Sequence, residues 1–494
     1  MERDLKPIHT RNVARGAMYF FARHVLVTGA SLIANLYIIK LLKPGQLGYV
    51  AVVNIFICLI TIISDGGLTV YLIKHNGEVD ESLAAYFFRI QVKVYGALLA
   101  LLLLVYSVFW VLAIKTIVLG YLCVIALSVI PALLRGQNFV ALERELDFRQ
   151  IAYIEIVESA TFSAVSVVLA FLNFGVWSII VAYLIKTMAG LLITPTPFRI
   201  LGVRATRSTE NRKLLGVAWR FGIGYHATSV VGVLRNIANP SIMGLLYGSS
   251  VVGACDRSTY IAGIPCSIVG TIQNRILFPF YSLIQNKTEE VVRVFNRSIF
   301  ISGAVDKLLY IPIIITASYI PQLLGPEWIE AKLIVQVIAW GNLVFGVLIS
   351  SCNPFLAALG KPQWLARLSV VSTLVSWLLL FPFAHYFGQI GYAYISVINW
   401  FPLLVMVYAV CRHWEGVRVV KNWLIPVIAA SIAVYLAESL GIDNQTMLVA
   451  IAGKTFVGLV AYITLLFLLG PARLTEEVRS IIKHVYVHSS AADQ

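Results

Sequence analysis

The chain has 494 residues, of which 59% are hydrophobic and only 13% charged, and its formal net charge is +14. Soluble domains carry roughly 25% charged residues, so this composition excludes the soluble globular class. The apolar residues arrive in runs such as Val94–Ile114 and Thr116–Leu134, close to the ~20 residues a helix needs to cross a bilayer core. The strand-type alternation of a membrane β-barrel is absent.

In chain order, the polar start MERDLKPIHTRNVAR precedes an apolar run of full length, so no cleavable signal peptide is expected. Membrane-crossing helices are predicted at 18–42, 46–72, 92–113, 116–137, 151–172, 174–198 and 216–238, then at 241–270, 298–320, 331–357, 364–385, 389–411, 420–438 and 446–470. Segment 241–270 is long and is interrupted by Asp256, Arg257 and Pro265. The polar stretch GVRATRSTENRK, residues 202–213, reads as a cytoplasmic linker. Short likenesses cross it in order: IIKLLKPGQLGYV (38–50) with SIMGLLYGSSVVGA (241–254), ALLRGQ (132–137) with AALGKP (357–362), and NFGVW (173–177) with YFGQIGY (386–392). The expected fold is therefore all-α and polytopic, with about fourteen transmembrane helices. It has a lobe of six helices at 1–201, the linker, a second lobe of six at 214–411, and two further helices with a cytoplasmic tail at 412–494. Two-lobed repeats are the usual build of alternating-access transporters.

Lys and Arg concentrate on cytoplasmic loops of membrane proteins. One set of alternate loops holds 27 of them here, Arg135, Arg144 and Arg149 included, against four (Lys40, Lys43, Lys115, Lys332) on the other set. That bias accounts for the net charge without a nucleic-acid partner and places both termini in the cytoplasm. The charged segment ALERELDFRQIA, residues 141–152, then becomes an amphipathic cytoplasmic elbow. Its Leu142, Leu146 and Phe148 would rest at the headgroup level, with Arg144 and Arg149 near lipid phosphates.

Seven basic residues remain at membrane depth, Arg23, Lys186, Arg235, Arg257, Arg275, Lys307 and Lys454, with five acids, Asp65, Glu155, Glu158, Asp256 and Asp306. Each costs at least ~2.5 kcal/mol at a helix centre, so each needs a partner, water or a route to the surface. Arg275, Glu155 and Glu158 can be explained by helix ends, and Lys454 by packing of the last helix pair. The neighbours Asp256–Arg257 and Asp306–Lys307 are expected to point to different faces. Arg23, Lys186 and Arg235 have no acid within a turn, and facing an internal cavity they would make it cationic and suited to an anion. The bland alternative is snorkelling, or pairing between helices with Asp65 or Asp306. Asp65 lies in SDGGL (64–68), where Gly66–Gly67 should loosen the helix; its carboxylate could bind Na⁺ or H⁺, or simply join two helices.

Other chemistry is hard to find. There is no P-loop, GxSxG or HExxH, and the eight histidines are scattered. The six cysteines fall singly and form no metal or disulfide pattern. No cofactor, metal site or catalytic residue is expected, and the chain reads as a transporter, not an enzyme.

The ordered motifs resemble a known family. LLKPGQLGYVAV (41–52), SDGGL (64–68), ALERELDFRQIA (141–152), FGVW (174–177), QNRILFPFYS (273–282) and GPEWIEA (325–331) are similar to segments of the polysaccharide transporters. These are the Wzx-type O-antigen and exopolysaccharide flippases, WzxC-like, of the multidrug/oligosaccharidyl-lipid/polysaccharide exporter superfamily. The resemblance implies a 14-helix flippase of the bacterial inner membrane. It would move undecaprenyl-pyrophosphate-linked oligosaccharide repeat units from the cytoplasmic to the periplasmic leaflet, with membrane lipid, a polysaccharide polymerase and a chain-length regulator as partners. Arg23, Lys186, Arg235, Arg257 and Lys307 would then line a cationic cavity for the substrate, and Asp65 and Asp306 would serve coupling or gating. The chain departs from the family pattern at Asn239–Pro240, where many relatives carry an acid, and at Gly253-Ala254-Cys255, before Asp256-Arg257. Two readings compete: a cation-coupled multidrug exporter of the same superfamily, which should show more acid than base in its cavity, and a non-transporting scaffold of a polysaccharide-synthesis complex.

Overall fold

The structure is a computed structural model that describes residues 27, 29–74, 81–111, 117–144, 147–195, 209–285, 287–440 and 446–469. Arg23, Glu145, Leu146 and most of the expected linker lie outside them. Among the described residues the chain is helical throughout, with no strand. The first helices are α1 (Gly29–Leu41), α2 (Pro44–Asp65), α3 (Leu68–Lys74), α4 (Glu81–Val111), α5 (Ile117–Ala126), α6 (Val129–Arg144), α7 (Phe148–Phe171) and α8 (Trp177–Ile193). Then follow α9 (Thr209–Tyr247), α10 (Ser249–Ile284), α11 (Thr288–Ala317), α12 (Ile320–Leu324), a 3-10 turn at Pro326–Trp328 and α13 (Ile329–Ala358). The rest are α14 (Pro362–Phe387), α15 (Ile390–Ile398), α16 (Phe401–His413), α17 (Val419–Glu438) and α18 (Met447–Leu469).

Each predicted segment falls on one of these helices or on two consecutive ones. Ten of the described spans are long and apolar enough to cross a membrane, and α1 and α8 are shorter apolar helices. Large apolar side chains point outward, Leu192 at 84% exposure and Leu245 at 87%. Soluble monomers rarely expose contiguous apolar surface on this scale, and in a bilayer it meets its proper solvent. The protein is a multi-pass membrane protein.

Local chemistry sets the helix ends. Pro44 opens α2, where its missing N–H costs nothing, and the Gln46 side chain accepts from the Lys43 N–H at 3.0 Å. Gly66 and Gly67 close α2 with φ of 57° and 73°, a left-handed conformation that costs glycine little; α3 restarts at once. Asp147 caps α7 by accepting from the Gln150 N–H at 3.1 Å.

Two compact units divide the chain, residues 1–256 and 257–494. The division falls at another place than the expected lobe boundary, and Thr209–Lys213, read as part of a linker, are the first turn of α9. In the first unit α3, α4, α6 and α9 meet at Leu68, Leu72, Phe87, Val140 and Ala218. A second cluster joins Phe139, Leu142, Ile151 and Ile154 across α6 and α7. This corrects the elbow reading at two residues. Leu142 is core, not a headgroup contact, and the Arg144 guanidinium donates to the Leu72 carbonyl at 2.8 Å, capping α3. In the second unit Tyr281, Phe295, Phe355, Leu403 and Val410 form the core. The last two helices belong to this unit's packing: Tyr462 of α18 donates to the Ala304 carbonyl of α11 at 2.9 Å, and a Cβ on Gly458 would meet Ile311 and Ala437.

Candidate functional site

Among the described residues, three polar groupings inside the membrane-spanning segments hold expected site residues. The first is built on the α2–α3 break. One Asp65 oxygen accepts from Thr69 Oγ1 at 2.5 Å and Gln91 Nε2 at 2.9 Å. The other takes the Gly67 N–H at 3.0 Å and lies 3.2 Å from His226 Nε2 on α9. Gln91 in turn accepts from Gln137 of α6 at 2.8 Å. The break expected from Gly66–Gly67 is present, and the carboxylate there meets side chains from three other helices, α3, α4 and α9, and the N–H of the turn itself. Backbone contact makes this possible: a Cβ on Gly67 would strike Gly222, and one on Gly222 would strike the Gly66 carbonyl.

The second cluster joins α6, α7 and α8. The Arg135 guanidinium donates to the Glu158 carboxylate and lies 4.6 Å from the Phe139 ring centroid. The Lys186 ammonium stands 5.4 Å from the Tyr183 ring and 5.9 Å from Phe162, close enough to feel the charges of both Glu158 and Arg135. Lys186 shares the inward face of α8 with buried Ala182 and Gly190, while Ile185, Met188 and Leu192 are exposed on the opposite face. Two sequence readings change here. Arg135 is inside α6 and not in a loop, and Glu158 lies ten residues beyond the start of α7, away from its end.

The third cluster is the Asp306–Lys307 pair on α11, both with 0% exposure and 2.8 Å apart. The expectation that such neighbours point apart is wrong for this pair, because the flexible lysine stem folds its ammonium back onto the adjacent carboxylate. Lys307 is therefore neutralised where it sits. Lys454 of α18 similarly reaches Glu438 of α17 at 3.4 Å.

Lys186 joins Arg135 and Glu158, Asp65 joins His226, and Asp306 joins Lys307. Arg235 is exposed on α9, and Arg257 is buried on α10 with its guanidinium 5.9 Å from the Tyr260 ring. Sequence reading missed Arg135, Gln91, Gln137 and His226. A partial signal for Arg135 was present, since the apolar residues of PALLRGQNFVAL resume at Phe139 after the short polar step Arg135–Asn138. Gln91, between Arg89 and Lys93, and Gln137, beside Asn138, carried no such cue.

A family model described as polysaccharide biosynthesis protein matches residues 38–333. The chain is 23% identical to the lipopolysaccharide biosynthesis protein WzxC of Escherichia coli (strain K12), over 69% of this chain and 68% of that one. It is 22% identical to the succinoglycan biosynthesis transport protein ExoT of Rhizobium meliloti (strain 1021), over 87% of both. Among solved structures, the lipid II flippase MurJ in an inward closed conformation superposes with a TM-score of 0.73 at 12% identity, covering 91% of this chain and 98% of that one. An inward-facing multidrug resistance MATE transporter follows with a TM-score of 0.58 at 13% identity, over 79% of this chain and 96% of that one. These two likenesses establish a shared fold.

Proposed function

The chain belongs to the polysaccharide biosynthesis protein family, and on that premise we propose that it is a flippase and not an enzyme. Its cargo is an undecaprenyl-pyrophosphate-linked oligosaccharide repeat unit, moved from the cytoplasmic to the periplasmic leaflet of the bacterial inner membrane by alternating access, with both termini in the cytoplasm. The family match supports this most strongly, together with relatives named for lipopolysaccharide biosynthesis and succinoglycan transport along most of the chain.

The interior chemistry agrees with an anionic headgroup. A pyrophosphate crossing the bilayer core needs cationic donors, and Arg and Lys supply them. Lys186, Arg235 and Arg257 are the candidates in the described residues, with Arg23 outside them; Lys307 is already matched by Asp306. Coupling to Na⁺ or H⁺ through Asp65 or Asp306 is part of the proposal, as is assembly with a polymerase and a chain-length regulator.

The test is reconstitution into liposomes with a labelled undecaprenyl-pyrophosphate oligosaccharide, with leaflet transfer followed under Na⁺ and pH gradients. Transfer under at least one gradient is expected. Its absence under all of them, with cationic drugs transported instead, would give the function to the multidrug reading. Absence of any transport would leave a scaffold.

A further inference from the structure

Arg135, Glu158 and Lys186 occupy one level of the first unit. Arg135 lies nine residues before the end of α6, Glu158 ten after the start of α7, and Lys186 eight before the Thr194 cap of α8. At about 1.5 Å per residue all three are about 12–15 Å in from those helix ends. Two cations and one acid leave the cluster with an excess positive charge at a depth where charge is costly and marks function.

Of the Arg135 fork, only Nη1 has an acceptor among the described residues, the Glu158 carboxylate. Lys186 makes no ion pair or hydrogen bond with a described residue and contacts two aromatic rings instead. The cluster therefore has a surplus of N–H donors and one acceptor. Access is uneven: the Arg135 side chain is 26% exposed and that of Glu158 is 6%. Glu158 also has a prepared seat, because a Cβ on Gly190 would overlap its carboxylate.

We propose that Arg135 and Lys186 form a phosphoanion subsite, and that Glu158 is its resting counter-ion, which gives way when a phosphate oxygen takes its place on the guanidinium. The planar fork suits a phosphate as well as a carboxylate, so one acceptor replaces another and the arginine is never left bare in the membrane. This rests on the flippase reading and deepens it by naming where the diphosphate of the cargo is held.

The experiment is calorimetric titration of the full chain, in nanodiscs of phosphatidylcholine, with inorganic pyrophosphate. Glu158→Gln should bind about tenfold tighter, because the anion no longer displaces a carboxylate, and Arg135→Gln should bind about tenfold weaker. Lys186→Gln keeps the Arg135–Glu158 pair and should also weaken binding about tenfold, which secures the test if either pair variant fails to fold. Equal pyrophosphate affinity in wild type and Lys186→Gln, or no gain in a folded Glu158→Gln, overturns the proposal. Repeating the titration in phosphatidylglycerol discs separates the two sources of phosphate. Unchanged affinity assigns the subsite to the diphosphate, and competition assigns the same subsite to phospholipid headgroups. Because binding is read without transport, a chain that binds in this pattern but moves no lipid-linked sugar defeats the flippase reading alone. One that flips with unaltered binding in all three variants defeats only the subsite.

Discussion

The intramembrane charges are solved residue by residue, each with a different partner type. Asp306 and Lys307 neutralise each other without any exposure. Removing one member of such a pair leaves an uncompensated buried charge, whereas removing both does not. Lys307→Met should therefore lower stability by about 3–5 kcal/mol, and Asp306→Leu/Lys307→Met should recover most of it; thermal unfolding in detergent measures both. Asp65 is held differently, by the Thr69 hydroxyl, the Gly67 N–H, the Gln91 amide and the His226 ring. Asp65→Asn turns an amide N–H₂ toward these donors, and a loss of about 1–3 kcal/mol is expected in the same assay. Periodicity identified these residues as charges in apolar runs, and chain adjacency misjudged the lysine. A four-carbon stem reaches the side chain next to it, so the partner of a buried lysine cannot be read from helix faces alone.

At the scale of elements, the α2–α3 break and the long helix α9 are fitted to each other. Gly67 and Gly222 bring two backbones into contact with no room for a Cβ on either. Ten residues along α9, Gly232 faces open space. Gly222→Ala should cost about 1–3 kcal/mol through overpacking, while Gly232→Ala should be neutral or stabilise by up to about 1 kcal/mol through helix propensity. Unfolding temperatures of the two variants, measured side by side, decide this; equal shifts would contradict the close crossing. SDGGL was recognisable as a weak point in a helix because glycine and an acid interrupt an apolar run. That the break would be met by another glycine 155 residues later was not, since no local pattern encodes a partner so distant. The segment ALERELDFRQIA illustrates the same limit. Its place between two helices is legible from its charges, but α6 runs on to Arg144, Leu142 turns into the core and Arg144 onto the Leu72 carbonyl.

For the whole molecule, the charge bias between alternate loops carries a topological prediction. In a chain freed of its six native cysteines, Thr10→Cys and Ala492→Cys should react with an impermeant thiol reagent only after the inner membrane is permeabilised. Labelling of either in intact spheroplasts would reverse the assigned orientation. The Arg135 correction removes one residue from the 27 counted on the cytoplasmic side and leaves the bias intact.

The sequence by itself determined the class of molecule, the approximate place of most helices and the family, because hydrophobic runs and local motifs act over a helix length or less; helix ends differ where a helix continues through polar residues, as at Glu81 of α4 and Thr288 of α11. Tertiary structure alone decided which charges meet. It moved Arg135 from a loop to an ion pair with Glu158, set Lys186 beside them and brought His226 to Asp65. In a medium without water a charge must find its partner within the protein; where that partner is not the adjacent side chain, the packing of helices chooses it, from consecutive ones for Arg135 and Glu158 to ones 161 residues apart for Asp65 and His226.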